Sequence, residues 1–506
     1  SSTAMGLLPS NADITGSVRL AGQEILTMSP GRLRSVRGKD VAMVFQEPMT
    51  ALNPVLTVGD QLTEALELHG LAFGTEADKR AIELLTMVGI PDPENRLKQY
   101  PHQFSGGQRQ RIVIAMAISC SPKMIIADEP TTALDVTVQA EILELLRSLK
   151  SKMNTGILLI THNMGVVADM ADRVCVMLHG ELVEQGSVHQ VLQHPQHPYT
   201  QKLLSAVPRL GAAYQVAEPE PVTSTQTRAR YAIEAENLNL EYDHRGKRNR
   251  VVHDVSFTVA PGEILGLVGE SGSGKSTIAK SVLGLLPIAS GALRIQGEDL
   301  ATIPKAQQKA LRRRIGVVFQ DPAASLDPRF PIGDIITEPM VVHGVGDRRS
   351  RLARAEELLD AVKLPRSVVN RFPHELSGGQ RQRISIARAL TLDPEVLIAD
   401  EPTSALDVSV QAAVLDMFAE LQHRYEFACL FVSHDLAVVD MLAHKVLVLK
   451  DGKQVEQGPV EEVLHHPREE YTRRLLAAAP VPDPDQQAER RQQRREFLAS
   501  LGEGVY

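Results

Sequence analysis

The chain contains the same ordered pattern twice, and no other feature limits its fold as strongly. QYPHQFSGGQRQRIVIAMAI in the first half matches RFPHELSGGQRQRISIARAL in the second, and MIIADEPTTALDVTVQAEIL matches VLIADEPTSALDVSVQAAVL. In both copies the serine of SGGQ lies 23 residues before the aspartate of ADEP, and the following glutamate lies 33 residues before a histidine. Unrelated segments would not keep this register, so the sequence predicts two copies of one domain.

The 506 residues divide where the composition changes. We predict a first domain over residues 1–210, a polar Pro/Thr-rich linker over 211–231, a second domain over 232–482 and a Gln/Arg-rich tail over 483–506. The tail is predicted to form a solvated helix, and contact of its arginines with nucleic acid or lipid headgroups is the alternative.

Short apolar runs alternate with helical patterns within each copy. Met124–Ala127 and Ile157–Ile160 are continuous apolar runs, as are their counterparts at 396–399 and 429–432. Such runs are typical of strands buried on both faces of a parallel sheet. The segment before the first SGGQ has helical periodicity, so each copy is predicted to be an α/β domain with an inserted helical part.

The composition argues against several function classes. A net charge of -8 argues against a nucleic-acid binder driven by bulk charge, and no apolar run is long enough to predict a membrane span. Cys120, Cys175 and Cys429 are scattered in or beside apolar runs, which argues against a disulfide framework or a cysteine metal cluster. We expect three buried, reduced thiols in a cytosolic protein.

GESGSGKS, residues 269–276, has the pattern of a phosphate-binding loop and follows the strand-like run EILGLVG. Glycines allow backbone N–H groups to surround phosphate oxygens, and the helix that follows adds a favourable dipole. We expect Lys275 to neutralise the β- and γ-phosphates and Ser276 to bind Mg²⁺. A glycine-rich turn without a ligand is the alternative. The nucleotide-binding residues predicted here are Gly269, Gly272, Gly274, Lys275, Ser276 and Thr277.

An acidic pair ends an apolar run in each copy, Asp128–Glu129 in the first and Asp400–Glu401 in the second. The aspartate of each pair is predicted to hold Mg²⁺ through its waters, and the glutamate to polarise the attacking water. A solvated acidic pair at a strand end is the alternative, and the nearby phosphate loop argues against it.

The SGGQ segments each open a predicted helix. Their small residues expose backbone donors and a hydroxyl at the positive end of the helix, which suits an anion. A flexible helix cap is the alternative, which the repetition at a fixed spacing disfavours. The residues concerned are Ser105, Gly106, Gly107, Gln108, Ser377, Gly378, Gly379 and Gln380.

These motifs, in this order, resemble a fused pair of nucleotide-binding domains of the ATP-binding cassette (ABC) family, and the resemblance covers both halves nearly end to end. It implies two tandem domains, each a RecA-like parallel-sheet core with a small antiparallel β part and a helical subdomain. It implies ATP and Mg²⁺ as ligands. Gln46 and Gln320, in FQEP and FQDP, would link the Mg²⁺ site to membrane subunits. His162 and His434 would contact the γ-phosphate.

The resemblance also assigns roles between domains. Asp135 and Asp407, in the two ALD triplets, match the family's loop that crosses from one domain to the other, and Tyr242 is expected to stack on adenine. Members of the family pair head to tail, so each ATP lies between the phosphate loop of one domain and the SGGQ segment of the other. An intramolecular pairing of this kind is expected here.

The first copy starts just after the point where the second copy has its phosphate loop. GLLP at 6–9 matches GLLP at 284–287, and every later motif of the first copy is intact. We therefore expect that the chain lacks an N-terminal segment of ~45–50 residues and forms one complete and one incomplete nucleotide site.

The segments that close the two copies, containing HPYT and EEYT, resemble those of ATP-binding subunits of bacterial peptide importers. The fused arrangement resembles the glutathione and microcin-type importers. Two transmembrane permease subunits, an extracytoplasmic solute-binding protein and a peripheral location at the cytoplasmic face of the membrane are implied, with no nucleic acid and no iron–sulfur centre. The prolines around His194 and His197 disfavour metal binding there. A soluble twin-cassette ATPase acting on the ribosome or nucleic acid is the alternative, and an exporter would be expected to carry fused membrane segments.

Overall fold

The computed structural model describes residues 3, 5–8, 11–132, 134–211, 231–244, 247–404 and 406–500. Its contacts group into two compact units. Unit 1 comprises Ser1–Pro195 with Pro480–Tyr506, and unit 2 comprises Gln196–Ala479. This grouping differs from the predicted domains, because 196–210 joins unit 2 and the C-terminal tail joins unit 1. The predicted linker lies almost wholly outside the described residues.

Unit 1 contains a mixture of short strands and longer helices. Its strands are Arg19–Leu20 (β1), Gln23–Glu24 (β2), Val41–Val44 (β3), Met124–Asp128 (β4), Gly156–Ile160 (β5), Arg173–Leu178 (β6) and Glu181–Ser187 (β7). Its helices are Pro30–Val36 (α1), Pro48–Ala51 (α2), Val58–Leu68 (α3), Thr75–Met87 (α4), Pro93–Arg96 (α5), Gly106–Ile118 (α6), Val136–Met153 (α7), Met164–Met170 (α8), Val188–Gln193 (α9) and Pro484–Ser500 (α20), with a 3₁₀ turn at Pro101–Gln103.

The central sheet of unit 1 is parallel, with the order β3–β4–β5. Val41 pairs with Met124, and Asp128 pairs with Ile160, so the acidic end of β4 lies beside the end of β5. Helix α6 covers this sheet and buries Ile112 and Ile114 completely. Burying a side chain of this size stabilises a fold by about 1.5–3 kcal/mol. The parallel strands and the helical segment before SGGQ are confirmed in this unit. The expectation that β5 is buried on both faces is wrong, because β5 lies at the edge of the described sheet and Leu158 is 43% exposed.

Unit 2 contains the larger sheet. Its strands are Ile233–His244 (β8), Lys247–Val259 (β9), Ile264–Gly269 (β10), Ile288–Ile295 (β11), Glu298–Asp299 (β12), Ile315–Val318 (β13), Val396–Asp400 (β14), Ala428–Val432 (β15), Lys445–Lys450 (β16) and Lys453–Pro459 (β17). Its helices are Pro198–Ser205 (α10), Lys275–Val282 (α11), Lys305–Arg313 (α12), Pro322–Ser325 (α13), Ile332–Val342 (α14), Arg348–Ala361 (α15), Gly378–Ala389 (α16), Val408–Tyr425 (α17), Leu436–Leu442 (α18) and Glu470–Ala478 (α19), with 3₁₀ turns at Arg366–Asn370 and Pro373–Glu375 and a π turn at Glu461–His465.

The strand order of the large sheet is β12–β11–β8–β9–β17–β16–β10–β15–β14–β13. Strands β16, β10, β15, β14 and β13 run parallel, whereas β8, β9 and β11 form the antiparallel part. Every residue of β10 and β15 is buried. Helices α13 to α16 are inserted between β13 and β14. The predicted fold class, a parallel core with an antiparallel part and a helical subdomain, is confirmed.

The C-terminal helix α20 packs on α8 of unit 1. Arg491 donates a hydrogen bond to the Asp169 carboxylate at 3.2 Å, and Arg495 bonds Glu144. The predicted helix is confirmed, but the expectation that the whole helix is solvated is wrong, because Arg491 reaches the buried Asp169 of α8 and Arg495 reaches the half-buried Glu144 of α7.

The three thiols are not alike. Cys120 and Cys429 are buried, and burial raises the pKa of both. Cys175 is exposed, so the expectation of burial is wrong there. It lies in β6, which pairs with β7 in a two-stranded sheet of its own, and alternate residues of such a ribbon face solvent. Along the described parts of the chain, no helix combines the length and hydropathy needed to cross a membrane.

Candidate functional site

The loop at 269–276 connects β10 to α11, and its path requires glycine. Gly269 has φ 148°, and a Cβ there would lie 2.2 Å from the Leu449 carbonyl oxygen. Gly274 has φ 100° and lies just before α11, where a Cβ would lie 3.1 Å from the side chain of Val252. Side chains are excluded at both points, which leaves the backbone N–H groups open to a ligand.

Lys275 is buried and lies across the loop. Its Nζ donates to the carbonyl oxygens of Gly269, at 2.7 Å, and Glu270, at 2.8 Å. The hydroxyl of Ser273 is buried and has no hydrogen-bond partner within the described residues. An orphaned hydroxyl costs free energy unless a ligand satisfies it, so the loop fits an anionic phosphate. Thr277 and Gly272 belong to the same segment, and Gly272 has open space beside it.

Ser276 faces the end of β14. Its hydroxyl donates to Asp400 Oδ1 at 3.4 Å. Burial, and then the neighbouring Glu401, raise the pKa of Asp400. A hydroxyl and a desolvated carboxylate supply the hard oxygen ligands that Mg²⁺ prefers, so this pair of residues fits a magnesium ion.

Glu401 is the centre of a polar cluster in unit 2. Gln320 donates from Nε2 to Glu401 Oε2 at 2.8 Å, and His434 Nδ1 lies 3.2 Å from the same oxygen. The backbone N–H of Glu401 donates to the Val432 carbonyl oxygen, which fixes the turn after β14. Burial raises the pKa of Glu401, but the hydrogen bond to His434 and the charges of His434 and Lys275 outweigh it, so the pKa is lowered overall.

Unit 1 contains the corresponding cluster around Glu129. Gln46 donates to Glu129 Oε2 at 2.9 Å, and His162 Nδ1 lies 2.8 Å from Glu129 Oε1. Thr132 donates a third bond at 2.9 Å. The hydrogen bond from His162 is the largest cause of the lowered pKa of Glu129. Asp128 ends β4 beside this cluster. The structure thus brings together in each unit the glutamine, glutamate and histidine selected from the sequence.

The SGGQ segments form the N-termini of α6 and α16 as reciprocal caps. Ser105 accepts from the Gln108 N–H at 3.3 Å, and Gln108 accepts from the Ser105 N–H at 3.1 Å. Ser377 and Gln380 repeat this arrangement at 3.3 and 3.0 Å. The capping alternative is therefore seen, and binding of an anion by these segments and by Gly106, Gly107, Gly378 and Gly379 stays a prediction.

The other predicted residues lie at element ends or edges. Asp135 and Asp407 are the N-cap residues of α7 and α17, with no side-chain cap bond in either case. Tyr242 is exposed on β8, where it pairs with Asn249 of β9. Tyr471 is not among the residues predicted from the sequence, although its hydroxyl contacts the phosphate loop. Its signal is the YT pair that closes both copies.

Comparison with known families agrees with this geometry. The family model described as "ABC transporter" matches residues 1–132 and 252–404. A second model, "Oligopeptide/dipeptide transporter, C-terminal region", matches 183–230 and 455–504. The chain therefore belongs to the ABC transporter family, whose ATP-binding proteins hydrolyse ATP.

Individual relatives indicate which kind of ABC transporter ATPase the chain resembles. The chain is 48% identical over 491 residues to the glutathione import ATP-binding protein GsiA of Escherichia coli (strain K12). The aligned region covers 92% of this chain and 79% of the relative. The same figures hold for GsiA of Salmonella choleraesuis (strain SC-B67). These similarities favour an ATPase subunit of an importer over a factor that acts on the ribosome or nucleic acid.

Proposed function

We propose that this chain is the ATP-hydrolysing subunit of an importer for glutathione or a related short peptide. The observation that carries the proposal is the polar site of unit 2, where Lys275, Ser276 and Asp400 adjoin the Glu401 cluster. The similarity to glutathione import proteins and the two matched C-terminal regions support the substrate class.

The phosphate loop binds the triphosphate of ATP. Lys275 contributes its charge, Ser273 its unsatisfied hydroxyl, and the glycine-rich backbone its N–H groups. Tyr242, which is exposed near the C-terminal end of β8, stacks on the adenine ring.

Ser276 and Asp400 hold Mg²⁺, and Gln320 reaches the same region through its bond to Glu401. When bound, Mg²⁺ neutralises the charge that develops on the phosphate oxygens. Asp128 and Gln46 are the corresponding residues of the first copy.

Glu401 accepts a hydrogen bond from the attacking water and thereby orients it. Its lowered pKa keeps it ionised at neutral pH, as an acceptor must be. His434 holds the carboxylate in place, and Glu129 with His162 has the same arrangement. The SGGQ segments complete the opposite sites in a head-to-tail pairing of the two copies, a role supported by their exposed helix N-termini.

The partners are two transmembrane permease subunits, which receive an extracytoplasmic solute-binding protein on the other side, and the chain is peripheral at the cytoplasmic face. A cavity of about 250 Å³ in unit 2 suits a permease segment. Arg312, Arg313 and Arg388 outnumber Glu338 among its lining residues, so an acidic segment fits its net charge. Strand β13 also lines it and leads directly to Gln320, which would relay docking to Glu401.

The test is a detergent pull-down of the tagged full chain from its native membrane, followed by reconstitution in vesicles and measurement of glutathione uptake. Two multi-span permeases and ATP-dependent uptake of glutathione are expected. The matched control is Glu401→Gln, which should co-purify with the permeases without supporting uptake. Recovery of ribosomal proteins or nucleic acid without a permease would contradict the importer proposal.

A further inference from the structure

Tyr471 connects the C-terminal region to the phosphate loop. It lies in α19, is 8% exposed, and its hydroxyl accepts a hydrogen bond from the Glu270 N–H at 3.2 Å. Lys450, at the end of β16, places its Nζ 5.0 Å from the centre of the tyrosine ring. Both contacts hold the ring and its hydroxyl in one orientation beside the loop.

The Glu270 N–H and the Gly269 carbonyl belong to the same peptide group. The carbonyl accepts a hydrogen bond from Lys275 Nζ at 2.7 Å, so one peptide links the lysine on one side to the Tyr471 hydroxyl on the other. Hydrogen bonds on the two sides of an amide polarise and orient each other. Because the peptide group is planar and rigid, the Tyr471 hydroxyl that orients its N–H also orients its carbonyl, and with it the Lys275 side chain.

This peptide needs an external anchor because of the backbone that precedes it. Gly269 has φ 148°, a conformation that L side chains rarely adopt and that glycine can leave at little cost. The Leu449 carbonyl oxygen closes one side of Gly269, and Lys450, the next residue, contacts the tyrosine. Strand β16 and Tyr471 thus confine the same loop from two directions.

We infer that Tyr471 is a positioning residue for ATP binding, whose hydroxyl orients the Gly269–Glu270 peptide and through it the Lys275 ammonium. The inference rests on the proposed role of this loop as the site of the ATP phosphates. It gives the C-terminal region at 455–504 a direct connection to the nucleotide site. The first copy has Tyr199 at the same offset that relates His162 to His434, so the YT pair is part of the repeat.

The test compares Tyr471→Phe with the parent chain in ATP titrations at a temperature where circular dichroism shows both to be folded. Phenylalanine keeps the ring beneath Lys450 and removes only the hydroxyl. The loss of one hydrogen bond to the loop should raise the KM for ATP about three- to tenfold and leave kcat at saturating ATP within about twofold. The matched control is Tyr425→Phe, which removes a buried hydroxyl that has no hydrogen-bond partner within the described residues.

Two results would overturn the inference. A KM equal to that of the Tyr425→Phe control would show that the hydroxyl does not position the loop. A lower kcat or melting temperature with an unchanged KM would assign Tyr471 to folding alone. Lys275→Ala separates this inference from the proposed site: if it retains normal ATP affinity, the loop is not the ATP site, whereas loss of affinity in Lys275→Ala with a normal Tyr471→Phe overturns only the role of Tyr471.

Discussion

The clusters around Glu129 and Glu401 are built from the same three residue types in surroundings that differ. Gln46 and His162 lie 2.9 and 2.8 Å from Glu129, and Gln320 and His434 lie 2.8 and 3.2 Å from Glu401. In unit 1 the strand leading to the histidine, β5, is at the edge of the described three-stranded sheet, whereas its counterpart β15 lies between β14 and β10. In each unit the glutamate follows one strand, β4 or β14, and the histidine follows the neighbouring strand, β5 or β15. Their contact therefore depends on these two strands and not on how many further strands the sheet contains.

In unit 2 the phosphate loop at 269–276 adjoins the Glu401 cluster. Asp400 accepts a hydrogen bond from the hydroxyl of Ser276, and the charge of Lys275 contributes to the lowered pKa of Glu401. The phosphate-loop motif occurs once in this chain, at 269–276. The comparison separates the residues that arrange a carboxylate from those that bring a phosphate to it.

The largest expected effect concerns hydrolysis. Glu401→Gln should lower the rate of phosphate release by about 10²–10³-fold while ATP still binds, because an amide cannot accept a proton from the attacking water. Glu129→Gln is the matched variant of the first copy and measures what the Glu129 cluster contributes to the same rate. Hydrolysis at the parent rate in Glu401→Gln would remove Glu401 from its proposed role.

Substitutions in the strands that lead to the two histidines, β15 and β5, should differ in their effect on the free energy of unfolding. Leu430 in β15 is 0% exposed, whereas its counterpart Leu158 in β5 is 43% exposed. Leu430→Ala should cost about 2–5 kcal/mol of unfolding free energy through a buried cavity, and Leu158→Ala about 1 kcal/mol or less. Hydrogen exchange read separately at β15 and β5 during urea unfolding measures each effect. A larger loss at Leu158 would contradict the view of β5 as an edge.

The smallest effect is a shift with pH. His434 holds the pKa of Glu401 down against the opposing effect of burial, so His434→Gln should raise that pKa. A carboxyl group with a lowered pKa is lost as a base only when the pH falls through its folded value, so the acid limb of the ATPase profile should move to higher pH in the variant. His162→Gln is the control, because it removes the equivalent contact to Glu129 and leaves the hydrogen bonds of Glu401 in place. An unmoved limb in His434→Gln would show that the hydrogen bond does not set the ionisation of Glu401.

Much of the site could be predicted because its information is local. The spacing of Asp400, Glu401 and His434 follows from a strand, a helix and the next strand, and the repeat supplies an independent copy of that spacing. Parallel strands bring their carboxyl ends to one edge, so residues 33 positions apart meet there. The glycines of the loop are likewise dictated by the backbone path.

The sequence by itself determined the duplication, the parallel cores, the phosphate loop and the paired acidic clusters, because each depends on periodicity or on spacing within one supersecondary unit. Only the tertiary structure decided the packing of α20 on α8, the grouping of 196–210 with unit 2, the exposure of Cys175 and the bond from Glu270 to Tyr471. Those features depend on which distant surfaces meet. Glu270 and Tyr471 are 201 positions apart, and no sequence pattern identifies them as a contact, since a buried hydroxyl acquires its partner only when the chain folds.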